Sequence, residues 1–137
     1  MSDDEDKMMK TEIRASLILM NYGCSHADVT AAFGVEPSMT WNVGDLMPSG
    51  RRNYKTKGWR FWSSLPLSAT MEQHAVHLLG ELKPDFAKLQ MLGWPKAVMS
   101  FAVESYNGDR PALGLDHPLM EKLAAMKVDL DIDLYVL

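Results

Sequence analysis

Both ends of the chain alternate between apolar and polar residues, and this constrains the fold more than any other feature. In Glu12–Met20, Ile13, Ala15, Leu17 and Leu19 fall on one side. In Val128–Leu137 the alternation is strict, with Val128, Leu130, Ile132, Leu134 and Val136 on one side and Asp129, Asp131 and Asp133 on the other. A period of two indicates strands with one buried face. The sequence therefore predicts a sheet that holds both ends, with the five aliphatic residues of the last strand directed inward.

Helical patterns separate these strands. Ser25-x-x-Asp28 predicts a capping box that opens a short helix ended by Gly34. Thr70 and Gln73 predict the start of the longest helix, which Pro84 kinks or divides. Pro118 suits the first turn of a third helix.

Further strands are predicted between the helices: one at Trp41 and Val43, one at 59–63 and one at 97–106. Asn107-Gly108 is a strong hairpin signal, because both residues tolerate positive φ. We therefore predict a short return strand at 113–115.

The predicted order of elements is β-α-β-β-α-β-β-α-β. Short hairpins mixed with helical crossovers favour a single α+β domain, a sandwich of a mostly antiparallel sheet with helices on one face. We predict a ferredoxin-like core (β-α-β-β-α-β) followed by a C-terminal hairpin, helix and strand. The domain is expected to cover residues 10–137, preceded by a disordered acidic tail over residues 1–9.

Composition narrows the class of protein. The pI near 5.5 and net charge of −4 argue against a general binder of nucleic acid or of membrane surfaces. Cys24, the single cysteine, cannot form an internal disulfide and suits a reducing compartment. The acidic N-terminus does not match a signal peptide, and no apolar run is long enough to span a bilayer. A cytoplasmic location is predicted.

Three segments resemble a bacterial family of domains of unknown function, the family numbered 4279. These are the early strand and helix leading into Phe33–Trp41 with Gly44-Asp45, the Lys57-Gly58-Trp59 entry to a strand, and the ending Leu130–Leu137. The resemblance covers nearly all of the chain after the acidic tail. It implies a small bacterial or phage-borne domain and supplies no catalytic residues. By analogy with such domains, an immunity or phage counter-defence role is predicted.

The most distinctive segment for function is Leu46–Met71, which contains five of the chain's 14 basic residues and no acidic residue. The basic residues and a neighbouring tryptophan are predicted to bind a partner: Arg51, Arg52, Lys55, Lys57, Arg60 and Trp62. Trp62 is out of phase with Trp59 and Phe61, so it is expected on the opposite sheet face, beside Arg60. The alternatives are a purely structural segment and a stacking surface for single-stranded nucleic acid.

Three groupings of His, Asp, Glu or Cys residues could be functional, but each also has a purely structural explanation. His74, His77 and Glu81 would lie along one side of a helix, where they could bind a metal or simply face solvent. Asp129, Asp131 and Asp133 could bind a divalent cation, or keep an exposed strand soluble, or face basic residues of a neighbouring strand. Cys24 and His26 suggest a nucleophile and base without a third orienting group.

These observations favour a non-enzymatic protein-interaction module that binds an acidic protein surface. No catalytic residue, metal or cofactor is predicted, a membrane partner is not expected, and nucleic acid is disfavoured. The alternative functions are a metal-dependent hydrolase that uses the His or Asp groupings and a weak binder of single-stranded nucleic acid.

Overall fold

The computed structural model describes residues 10–137, apart from the side chain of Phe86. The tail predicted over residues 1–9 lies outside the described residues. Residues 10–137 form five strands and four helices: β1 (Glu12–Met20), α1 (His26–Phe33), β2 (Met39–Trp41), β3 (Gly58–Trp62), α2 (Met71–Leu82), α3 (Phe86–Met91), β4 (Lys96–Ser105), α4 (His117–Ala125) and β5 (Val128–Val136).

The helix ends are set by local side chains. Ser25 and Asp28 form the predicted capping box of α1, and Thr70 and Gln73 form that of α2. Gly34 ends α1 with a φ of 69°, in the left-handed region that glycine adopts without steric cost. The predicted break at Pro84 is confirmed, because α2 ends at Leu82 and the short α3 begins at Phe86.

The strands form one mixed sheet in the order β2-β3-β1-β4-β5. β1 pairs antiparallel with both β3 and β4, and β2 pairs antiparallel with β3. β5 is parallel to β4 over nine residue pairs, from Ala97 with Val128 to Ser105 with Val136. The α+β class and the single-domain sandwich are confirmed, whereas the ferredoxin-like description of the core stays a prediction.

The core lies between one face of the sheet and the helices. Ile13, Ala15, Leu17 and Leu19 of β1 are all buried, as the alternation predicted. They join odd-numbered residues of β4 and the apolar sides of the helices in one cluster that includes Met99, Phe101, Leu78, Leu82 and Leu123. The sheet face that carries Arg14, Ser16 and Arg60 is the opposite one, called here the open face.

The predicted C-terminal hairpin is wrong. Asn107 and Gly108 do turn with positive φ values of 55° and 74°, and the Asp109 N–H donates to the Tyr106 carbonyl at 2.9 Å. However, residues 109–116 form no strand. Ser105 Oγ donates to the Asp109 carbonyl at 2.8 Å, so this carbonyl is bonded to a side chain of β4 and not to a strand ladder. A turn signal fixes a reversal of the backbone but not the pairing that follows it.

The predicted burial of the last strand is also wrong. β5 is integral to the sheet, and its apolar row shares a face with Met99, Phe101 and Val103 of β4. Yet Leu130, Ile132, Leu134 and Val136 are between 41% and 76% exposed. The reason is position: β5 is an edge strand, and the helices that cover the central strands only partly cover it.

Candidate functional site

The first part of the basic segment forms a small hydrogen-bonded hairpin at the end of β2. We call residues 46–57 the basic loop. Leu46 pairs with Asn53 as an isolated bridge. Backbone hydrogen bonds of 2.8 Å join Gly44 to Tyr54, Tyr54 to Asp45, and Met47 to Arg52. This pairing joins the two sides of the loop to each other.

The tip of the basic loop is a tight turn. The Gly50 N–H donates to the Met47 carbonyl at 2.8 Å, so residues 47–50 close a β-turn. Pro48 stands at the second position, where its fixed φ favours such a turn, and Gly50 at the fourth has a φ of 73°. Arg51 and Arg52 follow this turn directly, so the loop presents both at its tip.

An aromatic stack fixes the base of the loop to the sheet. Trp41 and Tyr54 stack with ring centroids 4.6 Å apart and planes within 18°. The Trp41 ring lies over Gly58, where an added Cβ would come within 2.0 Å of a ring carbon. Only glycine permits this approach, and Trp41 is left 5% exposed. Sequence reasoning identified Trp41 as a strand residue but gave no indication of this contact.

The charges of the loop are not neutralised within the described residues. Arg51, Arg52 and Lys55 are exposed. His117 with Glu121 is the one ion pair found in residues 10–137, and it lies on α4. Three cations therefore face solvent close together in sequence on a chain whose net charge is −4.

Lys57 and Arg60 make side-chain contacts within the protein. Lys57 Nζ donates to the Cys24 carbonyl and lies 4.8 Å from the centroid of the Tyr22 ring. Arg60 Nε donates to Ser16 Oγ of the neighbouring strand β1 at 2.9 Å, on the open face. Burial lowers the pKa of Arg60. These contacts account for both residues without a partner.

Trp62 lies on the open face beside Arg60, as its phase predicted. The Arg60 guanidinium lies 4.1 Å from the centroid of the Trp62 ring, in cation–π contact. Trp62 is four residues beyond Gly58, or about 13 Å along the strand at the usual rise per residue. The predicted binding residues therefore divide into two groups: the cations of the basic loop at one end of β3 and the Arg60–Trp62 stack at the other.

A small cavity of about 230 Å³ opens next to Trp62, between β1 and residues 63–67. Its lining includes Arg14, Trp62, Ser63 and His74. His74 Nδ1 and Ser63 Oγ are 2.7 Å apart, a distance compatible with a nucleophile and its base. However, Ser63 Oγ also accepts from the Leu65 N–H at 3.3 Å, and no carboxylate lines this cavity.

The predicted exposure of His74 on the polar side of α2 is wrong. His74 is 1% exposed, and its Nε2 has no hydrogen-bond partner among residues 10–137. Burial lowers the pKa of His74, and the nearby Ile13 backbone raises it by a smaller amount. His77 is separate from it, since its Nε2 lies 3.0 Å from Ser64 Oγ. The sequence carried no signal for the Ser63–His74 contact, because the two residues are 11 apart and belong to no motif.

The Cys24 and His26 side chains are not paired with each other. His26 Nδ1 lies 2.5 Å from the Tyr22 hydroxyl, and its Nε2 lies 2.9 Å from Asn42 Oδ1. Both ring nitrogens are therefore engaged elsewhere. Burial, with a smaller effect of Cys24, raises the pKa of Tyr22 to about 12.

The Asp row of β5 faces no basic strand neighbour. Asp129, Asp131 and Asp133 are registered with Val98, Ser100 and Ala102 of β4, and all three carboxylates are exposed. Among residues 10–137, no group of three or more His, Cys, Asp or Glu side chains is arranged to hold a metal ion.

Comparison with known proteins identifies a family. The family model described as Domain of unknown function (DUF4279) matches residues 11–137. No curated protein and no solved structure matches the chain. Within the described part of the chain, no helix has the length and apolar content needed to cross a membrane. The match covers nearly the whole chain, so the protein belongs to the DUF4279 family.

Proposed function

We propose that this member of the DUF4279 family is a non-enzymatic, cytoplasmic protein-interaction module that binds an acidic surface of a partner protein with its basic loop. The observation that carries the proposal is the loop itself. Arg51, Arg52 and Lys55 are exposed, lack ion-pair partners within residues 10–137, and stand on a hydrogen-bonded hairpin. Within this proposal the module holds or inhibits its partner, as an immunity or phage counter-defence protein does.

A fixed loop favours binding because it loses little conformational freedom on association. Ordering a flexible loop costs about 0.5–1.5 kcal/mol for each immobilised long side chain and more for the backbone. The backbone of the loop is already ordered in the folded protein by the bridge between Leu46 and Asn53 and by the stack of Trp41 on Tyr54. Binding therefore does not have to order it again. The side chains of Arg51, Arg52 and Lys55 are the groups left to be ordered by the partner.

The charge distribution also favours an acidic partner. Local positive potential on an otherwise acidic protein orients an incoming acidic surface and raises the association rate at low salt. Trp62, on the open face, adds an aromatic contact about 13 Å along β3 from the base of the loop. A standard interface buries about 800 Å² on each partner, which is wide enough to include both the loop and Trp62.

Differential capture from the native host tests the proposal. The wild-type chain, the Arg51→Ser/Arg52→Ser/Lys55→Ser variant and a matched control, Lys10→Ser/Arg110→Ser/Lys122→Ser, would serve as baits. The control loses the same charge at exposed positions away from the loop. We expect one protein to be enriched by the wild type and the control and depleted with the loop variant.

Kinetics with the captured protein then identify the role of the charges. The loop variant is expected to associate more slowly than wild type at 50 mM salt and to approach the wild-type rate at 300 mM salt, where screening is stronger. Trp62→Ala should mainly increase the dissociation rate. Equal association rates for the loop variant and the control would contradict the proposal, as would capture that nuclease treatment abolishes.

A further inference from the structure

The edge of the sheet at β5 is open along its whole length. β5 pairs with β4 on one side, and no strand within residues 10–137 pairs with its other side. Along this nine-residue strand, every second residue therefore directs its unpaired N–H and carbonyl groups to solvent. Natural proteins usually shorten, cover or kink such an edge, because it is a template for pairing with another chain.

The apolar row of β5 lies at the rim of the core. Its neighbours on β4, Met99, Phe101 and Val103, are completely buried, whereas Ile132 is 41% and Leu134 is 52% exposed. The boundary between core and solvent thus runs through β5. A further strand beside β5 would extend the sheet and cover the outer side of this row with its own apolar side chains.

The other side of β5 carries three negative charges that have no ion-pair partner within residues 10–137. Asp129, Asp131 and Asp133 project from alternate positions towards the open face, beside the uncharged Val98, Ser100 and Ala102. None of the three forms an ion pair with the described residues. A strand paired at this edge would place its own alternate side chains directly opposite these carboxylates, at Cβ distances of about 4.5–5.5 Å for an antiparallel pair.

We propose that β5 binds an extended segment of a partner protein in which Lys or Arg alternates with Ile, Leu or Val. Main-chain hydrogen bonds to the free edge provide affinity, as in other cases of strand addition. Alternation provides specificity, because it places the apolar residues against Leu130, Ile132 and Leu134 and the basic residues against the three Asp. This surface and its partner are distinct from those of the basic loop, which lies at the opposite side of the sheet and has the opposite charge.

A second copy of the chain fits this edge poorly. If two β5 strands pair antiparallel with Ile132 at the centre, Asp131 of each copy faces Asp133 of the other. With Asp131 at the centre, the two Asp131 side chains face each other. Like charges directly opposite each other destabilise a strand pair. The chain's own residues 3–6 are all acidic and carry the same sign as the Asp row.

Defined peptides test the proposal on the intact protein. The probe is a nine-residue peptide, KVKIKVKIK, labelled and followed by fluorescence anisotropy. One control peptide has the same composition with the lysines grouped, which keeps the charge but breaks the alternation. A second control carries N-methyl groups at alternate residues and so lacks the donors for edge pairing. We expect the alternating peptide to bind at least about tenfold more tightly than either control.

Protein variants locate the binding to β5. Asp129→Asn/Asp131→Asn/Asp133→Asn should weaken peptide binding by about tenfold, the product of three modest charge pairs. The matched control is Glu36→Gln/Glu81→Gln/Glu121→Gln, which removes three exposed carboxylates elsewhere and should bind normally. Circular dichroism establishes that both variants are folded.

Several results would overturn the proposal. Equal binding of the alternating and grouped peptides, or equal weakening by the two sets of carboxylate variants, would indicate non-specific attraction. A wild-type dimer in sedimentation analysis that becomes monomeric in Ile132→Lys would identify a second copy as the occupant instead. Peptide binding that persists in Ile132→Lys would place the binding site elsewhere.

Discussion

The two edges of the sheet are built in opposite ways. At one edge, β2 has three residues, and Trp41 is 5% exposed under its stack with Tyr54. At the other edge, β5 has nine residues, and its apolar row remains between 41% and 76% exposed. The first edge, called here the closed edge, is short, and the chain's own loop packs on its tryptophan, whereas the second, open edge is long and exposed.

This difference separates two kinds of surface. Beyond β2, the chain folds back as a hydrogen-bonded hairpin that presents the exposed side-chain charges of Arg51, Arg52 and Lys55. At β5, the backbone itself is available, with an apolar row on one face and Asp129, Asp131 and Asp133 on the other. A single small sheet thus presents an exposed cationic loop at one side and an exposed anionic edge at the other.

The largest expected effect is at the closed edge. Trp41→Ala should lower the free energy of unfolding by about 3–5 kcal/mol, because it removes a nearly buried indole and the ring that covers Gly58. Urea denaturation followed by circular dichroism measures this. Trp62→Ala is the control: its ring is only half-buried, so the loss should be clearly smaller. Equal losses in the two variants would mean that the burial of Trp41 at this edge adds no more stability than the half-buried Trp62 does.

A double-mutant cycle ties that loss to one contact. Gly58→Ala places a methyl group within 2.0 Å of the Trp41 ring and should cost about 1–3 kcal/mol in the wild-type background. In the Trp41→Ala background the same change meets no ring, so its cost should largely disappear. An unchanged cost there would assign the penalty to the backbone of β3 and not to the stack.

The open edge is expected to tolerate truncation better. Ile132→Ala should cost about 1–2 kcal/mol, because about two fifths of the side chain is already exposed and the full value for burial does not apply. A fully buried aliphatic residue, which is what the alternation alone predicts at this position, would cost about 2–5 kcal/mol. Leu17→Ala, at a completely buried position of β1, is the matched control and should reach that higher range. Similar losses for Ile132→Ala and Leu17→Ala would show that something covers β5 in solution.

The contrast between the two edges also shows what the sequence could predict. The caps at Ser25 and Thr70 were predictable, because each depends on residues three positions apart. The alternation in β5 correctly placed Ile132 and Asp131 on opposite faces, but an alternating pattern is the same whether or not another layer covers the apolar face. Burial depends on the number and placement of helices, which no local pattern encodes.

Within the candidate site, contacts between distant segments were the part that could not be predicted. Lys55 and Lys57 have nearly the same neighbours in the sequence, yet Lys55 is exposed and Lys57 is not. Lys57 differs from Lys55 because the Cys24 carbonyl, 33 residues earlier, lies within its reach. Similarly, His74 is buried and its Nδ1 lies 2.7 Å from Ser63 Oγ, beside the cavity next to Trp62. Phase alone sufficed for Trp62, since its face follows from the register of β3.

The smallest expected effect distinguishes the lysines on the closed side. Lys57→Ala should cost about 1 kcal/mol, because it removes the hydrogen bond to the Cys24 carbonyl and the contact with the Tyr22 ring. Lys55→Ala should stay within about 0.5 kcal/mol of wild type, since Lys55 is exposed and makes no ion pair within residues 10–137. For binding to an acidic partner the order should reverse, with Lys55→Ala slowing association more than Lys57→Ala. Urea denaturation and association kinetics on the same two variants measure both differences. If Lys55→Ala lowers stability as much as Lys57→Ala, then Lys55 also stabilises the fold. Its exposed charge would then no longer support a role in binding a partner.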